Sequence, residues 1–379
     1  MTLESTARTR ARQRRSTGAS IDFDGKRLSL ARRLRRMQRT TLAAQTSVTA
    51  AAITQFERGG RPTNAVAAEL ALALGLPLEF FRQGLPLTQV PMGAAHFRSL
   101  RATPATSREQ ALAFAEIALA VVDVLEQYVD LPVVPELIDP VDEDAQTDAI
   151  AEIAAHARSR LDVGPGPVPH VVRLLEAHGI VALRLPAEID QRVDAFSTDA
   201  GTRPLVLLSP MKNDRARSRF DAAHELGHLV MHQDVTPGSK TVERQAHTFA
   251  AEFLAPTSQL EPDLPRKVDW DQLLQAKRKW GLSLAALAYR AHTIGLWSEH
   301  SFRRANQHLR AAGYPEQGPL GPPESPTLIG AALDLLAGNG TTVEELARAS
   351  RLTVTQIAEV AQAGSDTKPR LRLSIDPLE

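Results

Sequence analysis

Residues 217–232 read RSRFDAAHELGHLVMH, and two histidines in this stretch lie four positions apart with a glutamate directly after the first. In an α-helix, side chains at that spacing share one face, so His224 and His228 can hold one metal ion through their imidazoles. Glu225 then lies beside the open coordination position, where a carboxylate can take a proton from an attacking water. The flanking apolar residues predict a buried helix, in which unpaired His and Glu side chains would be costly. The stretch therefore predicts a metal-dependent hydrolytic centre.

The third protein ligand of such a centre has three candidates in the sequence. His232 continues the same helix face, but a straight helix rises about 6 Å over four residues, too far for three imidazoles on one ion. Glu243 opens the next amphipathic segment, ERQAHTFAAEFLAP, and an antiparallel helix could direct it back at the metal. Glu252 lies about two and a half turns further on, on the opposite face of that segment. Spacing permits Glu243, leaves Glu252 as a weak fallback, and makes His232 a residue that supports the ligands or ends the helix.

The amino-acid composition limits which residues can bind the metal and which class of protein the chain belongs to. The chain has no cysteine, which excludes a disulfide scaffold, a thiolate metal site and a cysteine nucleophile. Hydrophobic residues at 43% and charged residues at 23% are typical of a globular domain protein. No apolar run approaches the roughly 20 residues that span a bilayer, and residues 1–18 have no apolar core of a secretory signal. We therefore expect a cytoplasmic protein with no membrane partner, whose metal ligands are His, Asp or Glu.

The formal net charge of zero hides a strong asymmetry along the 379 residues. Residues 1–62 contain 14 Lys and Arg against 4 Asp and Glu, whereas the remainder contains 30 basic and 40 acidic residues. A basic end on a mildly acidic body is typical of a nucleic-acid-binding head attached to a body with another purpose. The length favours two or three domains, since single cores rarely grow beyond about 250–300 residues.

Residues 39–59, RTTLAAQTSVTAAAITQFERG, contain apolar positions that two short helices joined by a tight turn would bury. This pattern predicts a helix-turn-helix, in which the second helix enters the major groove of double-stranded DNA. Through ITQFERGGRPT to LALALGLPLEFF, about 57 residues in all, the segment resembles Xre/Cro-like repressor domains. The resemblance implies a phosphate contact by Arg39. The other residues expected to face DNA are Thr49, Ala50, Ala51, Thr54, Gln55 and Arg58.

Two features of this head depart from the repressor pattern. Ser47 occupies a turn position that is often Gly, and the reading face is rich in alanine, which makes no hydrogen bonds to base edges. The alternative is a helix-turn-helix fold used for protein contacts. Since helix-turn-helix proteins usually bind two half-sites, a homodimer is a further expectation.

The metal segment also resembles a known family. HELGHLVMH followed by E-x-x-A-x-x-FAAEFLAP is similar to the ImmA/IrrE family of zinc-dependent endopeptidase domains, and the likeness extends over residues 145–310. It implies a Zn²⁺ ion on His224, His228 and Glu243, with Glu225 as the catalytic base. His247 stands where relatives often carry Asn.

The fold class predicted from these patterns is multi-domain and mainly α, with a small sheet in the metal domain. Short aliphatic runs at 179–186, 193–198 and 203–210 predict strands among helices, which indicates an α+β domain. The predicted divisions are a flexible basic arm (1–20), the helix-turn-helix domain (21–82), a linker with a long connecting helix (83–144), the metallopeptidase domain (145–312), and a Pro/Gly linker with a small helical unit (313–379).

The C-terminal unit carries a weaker pattern. Residues 345–357, ELARASRLTVTQI, repeat the spacing of the N-terminal helix pair. A second helix-turn-helix and an ordinary packing unit both fit, but the nearby Glu344, Glu345 and Glu359 argue against DNA binding there.

Together these features predict a DNA-binding transcriptional regulator with a zinc endopeptidase domain. The resemblance implies that it cleaves a regulatory protein, either a repressor or its own head, in a stress or mobile-element response. The alternative is a non-enzymatic transcription factor whose metal domain senses zinc or a peptide, or serves as an antitoxin-like docking surface. Glu225 favours the enzyme, because a sensor needs no base beside the metal. Tyr289, His292 and His300 are candidates for stabilising the oxyanion, and spacing selects none of them.

Overall fold

A computed structural model describes residues 22–84, 87–95, 103–142, 144–209, 214–233, 235 and 239–364. The basic arm predicted at 1–20 lies outside the described residues. The described chain divides into two compact units. The first comprises the described residues up to Val90, Pro104–Tyr128 and Leu333–Val360; the second comprises Pro91–Thr103, Val129–Ala332 and the described residues from Ala361.

The described residues are mainly helical with one three-stranded sheet, as the sequence predicts. No helix among them is long and apolar enough to cross a membrane. The α-helices, in chain order, are α1 (Gly25–Leu34), α2 (Arg39–Ala44), α3 (Ala50–Glu57), α4 (Asn64–Leu74), α5 (Ala105–Leu125), α6 (Thr147–Arg160), α7 (Val171–Ala177), α8 (Arg215–Met231), α9 (Lys240–Leu254), α10 (Thr257–Leu260), α11 (Trp270–Trp280), α12 (Leu284–Thr293), α13 (Glu299–Ala312), α14 (Leu328–Gly338), α15 (Val343–Ser350) and α16 (Val354–Ala363). The strands are β1 (Val181–Arg184), β2 (Phe196–Thr198) and β3 (Leu205–Leu208), and short 3-10 helices lie at Leu78–Phe81, Met92–Ala94 and Glu261–Asp263.

Helices α2 and α3 of the first unit form the helix-turn-helix pair. The Thr49 hydroxyl accepts the backbone N–H of Ala52 at 3.2 Å, which caps the start of α3. Leu42 on α2 and Ile53 on α3 have no exposed surface, so their packing positions the two helices. The backbone N–H of Ser47 donates to the Glu69 carboxylate at 2.8 Å, and hydrogen bonds from Ser47 lower the pKa of Glu69. A carboxylate on α4 thus holds the turn in which Ser47 replaces the usual Gly.

The long helix α5 also belongs to the first unit. Its apolar side chains from Ala111 to Ala115 and from Ile117 to Val122 are buried. Glu116, buried among them, accepts a charged hydrogen bond from Arg33 on α1 at 2.5 Å and the N–H of Val90 at 3.0 Å. An ion pair within an apolar surface fixes the register between α1 and α5. The segment predicted as a linker with a connecting helix thus supplies part of this unit's core.

The second unit is built around the sheet, whose strand order is β1-β3-β2. β1 runs parallel to β3, with Val181 opposite Leu205, and β2 runs antiparallel to β3, with Phe196 opposite Leu207. Nearly every residue of the three strands is buried, so the sheet is covered on both faces. Each segment predicted as a strand contains one of these strands.

Helix α8 packs against the sheet and against α9, and a glycine permits the close approach of the two helices. A Cβ at Gly227 would lie 2.8 Å from Cδ1 of the fully buried Phe249 on α9. Any larger side chain would push the ring, and with it α9, away from α8. The glycine between the two predicted metal-binding histidines therefore controls how close the second helix comes.

Three carboxylates hold the Pro/Gly-rich segment before α14 on the second unit. Glu316 accepts the N–H of Leu284 at 2.8 Å. Glu324, which is buried, accepts the N–H of Val172 at 3.1 Å. Glu176 accepts the N–H groups of Thr327 and Leu328 at 2.8 and 2.9 Å. The predicted linker therefore follows a fixed path through residue 328.

Candidate metal centre

Three side chains from α8 and α9 converge at one point in the second unit. The Nε2 atoms of His224 and His228, one turn apart on α8, lie 3.2 Å from each other. Glu243 lies in the first turn of α9, and its carboxylate oxygens lie 3.3 Å from Nε2 of His224 and 3.6 Å from Nε2 of His228. Both histidines are buried and the glutamate is partly exposed. These three residues form a group that could hold a metal ion.

The spacing of this group matches the needs of a small divalent cation. Ligands about 2.0–2.1 Å from a tetrahedral zinc ion lie about 3.3–3.4 Å from each other, close to the three distances above. Oε1 of Glu243 is buried and has no hydrogen-bond partner among the described residues. A buried carboxylate oxygen without a donor is costly unless a cation satisfies it. The residues present therefore fit a bound metal.

The other two ligand candidates lie elsewhere. Glu252 accepts charged hydrogen bonds from Arg290 at 2.7 Å and the backbone N–H of Thr257 at 2.9 Å, so its carboxylate is engaged away from the histidines. His232 ends α8, and its contact with the group is indirect, through His228.

A chain of hydrogen bonds leads from His228 to the backbone. The Gln245 amide donates to the carbonyl oxygen of Asp142 at 2.8 Å, so its own oxygen faces Nε2 of His232, 3.1 Å away. His232 Nε2 therefore carries a proton, and its Nδ1 faces Nδ1 of His228 at 3.1 Å as an acceptor. Nδ1 of His228 donates this bond, which leaves the Nε2 lone pair of His228 directed toward His224 and Glu243.

The carboxylate of Glu225 is held by a residue of β2. The Ser197 hydroxyl donates to Oε2 of Glu225 at 2.8 Å, and both residues have no exposed surface. The sequence predicted a strand at this position but gave no reason to single out Ser197, because no spacing rule connects β2 with α8. The serine fixes the direction of the carboxylate next to the metal group.

A cavity of about 580 Å³ opens beside the metal group and is lined by His224 and Glu243. Tyr289, the first of the three oxyanion candidates, also lines this cavity. His292 faces the carbonyl oxygen of Trp297 at 3.2 Å and stacks on a phenylalanine, and His300 is an exposed residue at the start of α13. His247, which the sequence marked only as a departure from the family, lines the cavity as well.

The predicted DNA-facing residues lie on α2, on α3 and at the two residues that cap the ends of α3. Gln55 is exposed, and its side-chain amide has no hydrogen-bond partner among the described residues. Thr54 is committed locally, since its hydroxyl donates to the carbonyl of Ala50 at 2.9 Å. Arg39 pairs with the Glu57 carboxylate at 2.6 Å. The exposed residues in this set are Arg39, Thr49, Ala51, Gln55 and Arg58, and the half-buried ones are Ala50 and Thr54.

Comparison with known families matches two parts of the chain. Residues 175–292 match the family model of the IrrE N-terminal-like domain, in peptidase family M78, and residues 28–81 match the helix-turn-helix family. Both resemblances stated from the sequence are confirmed, and the metal group lies within the first match. No curated protein matches the chain with significant similarity.

Proposed function

We propose that this chain, which combines a helix-turn-helix domain with an IrrE N-terminal-like domain, is a DNA-binding regulator with a zinc-dependent endopeptidase. The observation that carries the proposal is the near-tetrahedral spacing of His224, His228 and Glu243 with Glu225 next in sequence. Two imidazoles and one carboxylate are the ligand set of catalytic zinc in several hydrolases, with one position left for water or substrate. The match of residues 175–292 to a metallopeptidase family supports the same assignment.

The residues around the group suit peptide hydrolysis. When bound, zinc supplies Lewis-acid polarisation of the scissile carbonyl. Glu225 takes a proton from the attacking water and passes it to the leaving amine, and Ser197 holds that carboxylate in position. Tyr289 lines the cavity and presents a phenol, a hydrogen-bond donor suited to the oxyanion. Glu225 thus acts on the attacking water and the leaving amine, Tyr289 acts on the oxyanion, and Ser197 acts on the Glu225 carboxylate.

The helix-turn-helix domain is proposed to bind double-stranded DNA through the residues predicted from the sequence. Arg39 and Arg58 supply positive charge for phosphates. Gln55 supplies an exposed side-chain amide on α3 for a base edge, and Ala50 and Ala51 offer methyl contacts. A homodimer would present two such helices to two half-sites.

The proposed substrate is a regulatory protein, either a repressor or the helix-turn-helix domain of this chain itself. Two features support this choice: the family resemblance, and the presence of a DNA-binding domain in the same chain as the peptidase. Cleavage would end repression in a stress or mobile-element response, as the resemblance implies.

The decisive experiment compares zinc-loaded wild type with Glu225→Gln on a proteome-derived peptide library. New N-termini are identified by mass spectrometry, and intact mass reports self-cleavage of the full chain. Glu225→Gln should keep its zinc and lose about 10²–10⁴-fold in cleavage rate, the usual contribution of a general base. Glu188→Gln, at an exposed carboxylate outside both the metal group and the cavity lining, is the matched control.

Equal cleavage by wild type and Glu225→Gln would contradict the peptidase proposal. So would zinc binding with no new N-termini from either protein. If zinc then changed DNA binding without cleavage, the sensor alternative would replace the enzyme.

A further inference from the structure

A second cavity of about 510 Å³ adjoins the cavity that contains the metal group. Both are lined by His247, Ala251, Tyr289 and Arg290, so they share one wall. Every lining residue belongs to the second unit. The two cavities are therefore neighbouring sections of one cleft, with the metal ligands His224 and Glu243 in one section only.

The distance between the second cavity and the metal group follows from helix geometry. Phe220 lies one turn before His224 on α8, and His247 lies one turn after Glu243 on α9. The rings of Phe220 and His247 are in contact, with centroids 4.6 Å apart. Since four residues of helix rise about 6 Å, the cavity begins about one turn from the ligands. This is the distance from a scissile carbonyl to the side chain of an adjacent substrate residue.

The cavity owes its space to small apolar side chains. Four alanines line it, from α8, α9 and α12, together with Phe220 and Leu282; the alanines are Ala216, Ala251, Ala285 and Ala286. Two acidic and two basic residues also line it, and Arg290 among them is paired with Glu252 at 2.7 Å. The alanine methyl groups, Phe220 and Leu282 offer an apolar surface, against which an apolar side chain gains free energy from leaving water.

We infer that this alanine-lined cavity binds a large apolar side chain of the polypeptide substrate, on a residue next to the cleaved bond. The inference rests on the proposed endopeptidase function and adds a substrate class to it: chains that present Leu, Ile, Met or Phe beside the scissile peptide. The methyl groups of α12 set the upper limit on side-chain size, and Phe220 and Leu282 provide the apolar contact.

Ala286→Phe tests the inference, because Ala286 is half-buried, lines the cavity and contributes no polar atom. Zinc-loaded wild type and variant are compared on the proteome-derived peptide library. Wild type should be enriched for large apolar residues at one position flanking the cut. The variant should shift that position toward Ala, Ser and Gly by at least about 10-fold, in the range by which apolar pockets discriminate side chains of different size.

Two further proteins keep the result interpretable. Ala286→Leu is the milder variant if the phenylalanine impairs folding, and Ala311→Phe, at an exposed position of α13, is the matched control. Peptides found in the library are also titrated into Glu225→Gln, where Ala286→Phe should weaken binding of the apolar peptide independently of turnover.

The outcomes separate the two proposals. Cleavage by wild type without an apolar preference, or the same preference in Ala286→Phe, would overturn the cavity assignment and leave the endopeptidase intact. Absence of cleavage by zinc-loaded wild type would overturn the proposed function and this inference with it.

Discussion

The Nδ1 atoms of His228 and His232 lie 3.1 Å apart, so one residue of the metal group is oriented by the histidine that caps the end of α8. Gln245 and the carbonyl of Asp142 complete the chain and set the proton on Nε2 of His232. His232 is thus a positioning residue: it accepts the proton of Nδ1 and keeps Nε2 of His228 available as a ligand. Loss of this hydrogen bond should therefore change the affinity for the metal first, and catalysis only through the bound metal.

His232→Ala should therefore weaken zinc binding by about 10–100-fold, the usual effect of removing a partner of a metal-binding histidine. The dissociation constant is measured by competition with a zinc indicator. His232→Asn should retain most of the affinity, because the amide oxygen can accept the same hydrogen bond. His300→Ala, at an exposed histidine of α13, is the control. Wild-type affinity in His232→Ala would contradict the assignment.

The sequence predicted those features of the site that depend on local periodicity. His224, Glu225 and His228 lie on one helix, and their relation follows from spacing alone. Glu243 required the family resemblance, because its direction depends on how closely α9 approaches α8, and that approach depends on the contact of Gly227 with Phe249. No one-dimensional pattern encodes such a contact.

Other features could not be predicted because they are tertiary. Ser197 reaches Glu225 only after a three-residue strand has paired with β3 and packed on α8. Arg39 was assigned to phosphate without its partner Glu57, since an ion pair between α2 and the end of α3 becomes visible only when the helices are packed. Its contact with phosphate stays a prediction.

Gly227→Ala should destabilise the second unit and weaken zinc binding. Alanine gains about 1 kcal/mol of helix propensity over glycine, but its Cβ would lie 2.8 Å from the buried Phe249 ring. Overpacking of this kind costs about 1–3 kcal/mol, so the net effect should be a loss of about 1 kcal/mol. Urea unfolding measures it. Gly338→Ala, where a Cβ meets no atom within 4 Å, should not be destabilised. A stable Gly227→Ala with normal zinc affinity would refute the close-approach argument.

Glu176 gives a pH dependence of stability. Burial raises the pKa of Glu176 above its usual value of 4.5, against the hydrogen bonds from Leu328 and Thr327. Folding thus favours the protonated carboxyl, and this contribution is complete below the unfolded pKa and is lost as the pH rises through the folded pKa. Because glutamine does not ionise, the free energy of unfolding of wild type minus that of Glu176→Gln should fall as the pH rises from below 4.5 through the raised pKa of Glu176.

Unfolding in urea at a series of pH values measures this difference. Glu188→Gln, at an exposed glutamate, should give a difference that hardly changes with pH. A difference for Glu176→Gln that stays constant with pH would mean that the hydrogen bonds offset burial, and one that increases with pH would mean that they outweigh it.

Gln55→Ala should reduce sequence discrimination by the helix-turn-helix domain more than it reduces general affinity for DNA. Gln55 is exposed on α3 with an uncommitted amide, whereas the Thr54 hydroxyl donates to Ala50 and the Thr49 hydroxyl caps the helix. A bidentate amide contact to adenine contributes about 1–3 kcal/mol of discrimination. Binding is measured on an operator selected from random DNA and on its single-base variants, with Gln45→Ala at the exposed end of α2 as control. A uniform loss on all sequences would assign Gln55 to the backbone of DNA, and an unchanged profile would remove it from the interface.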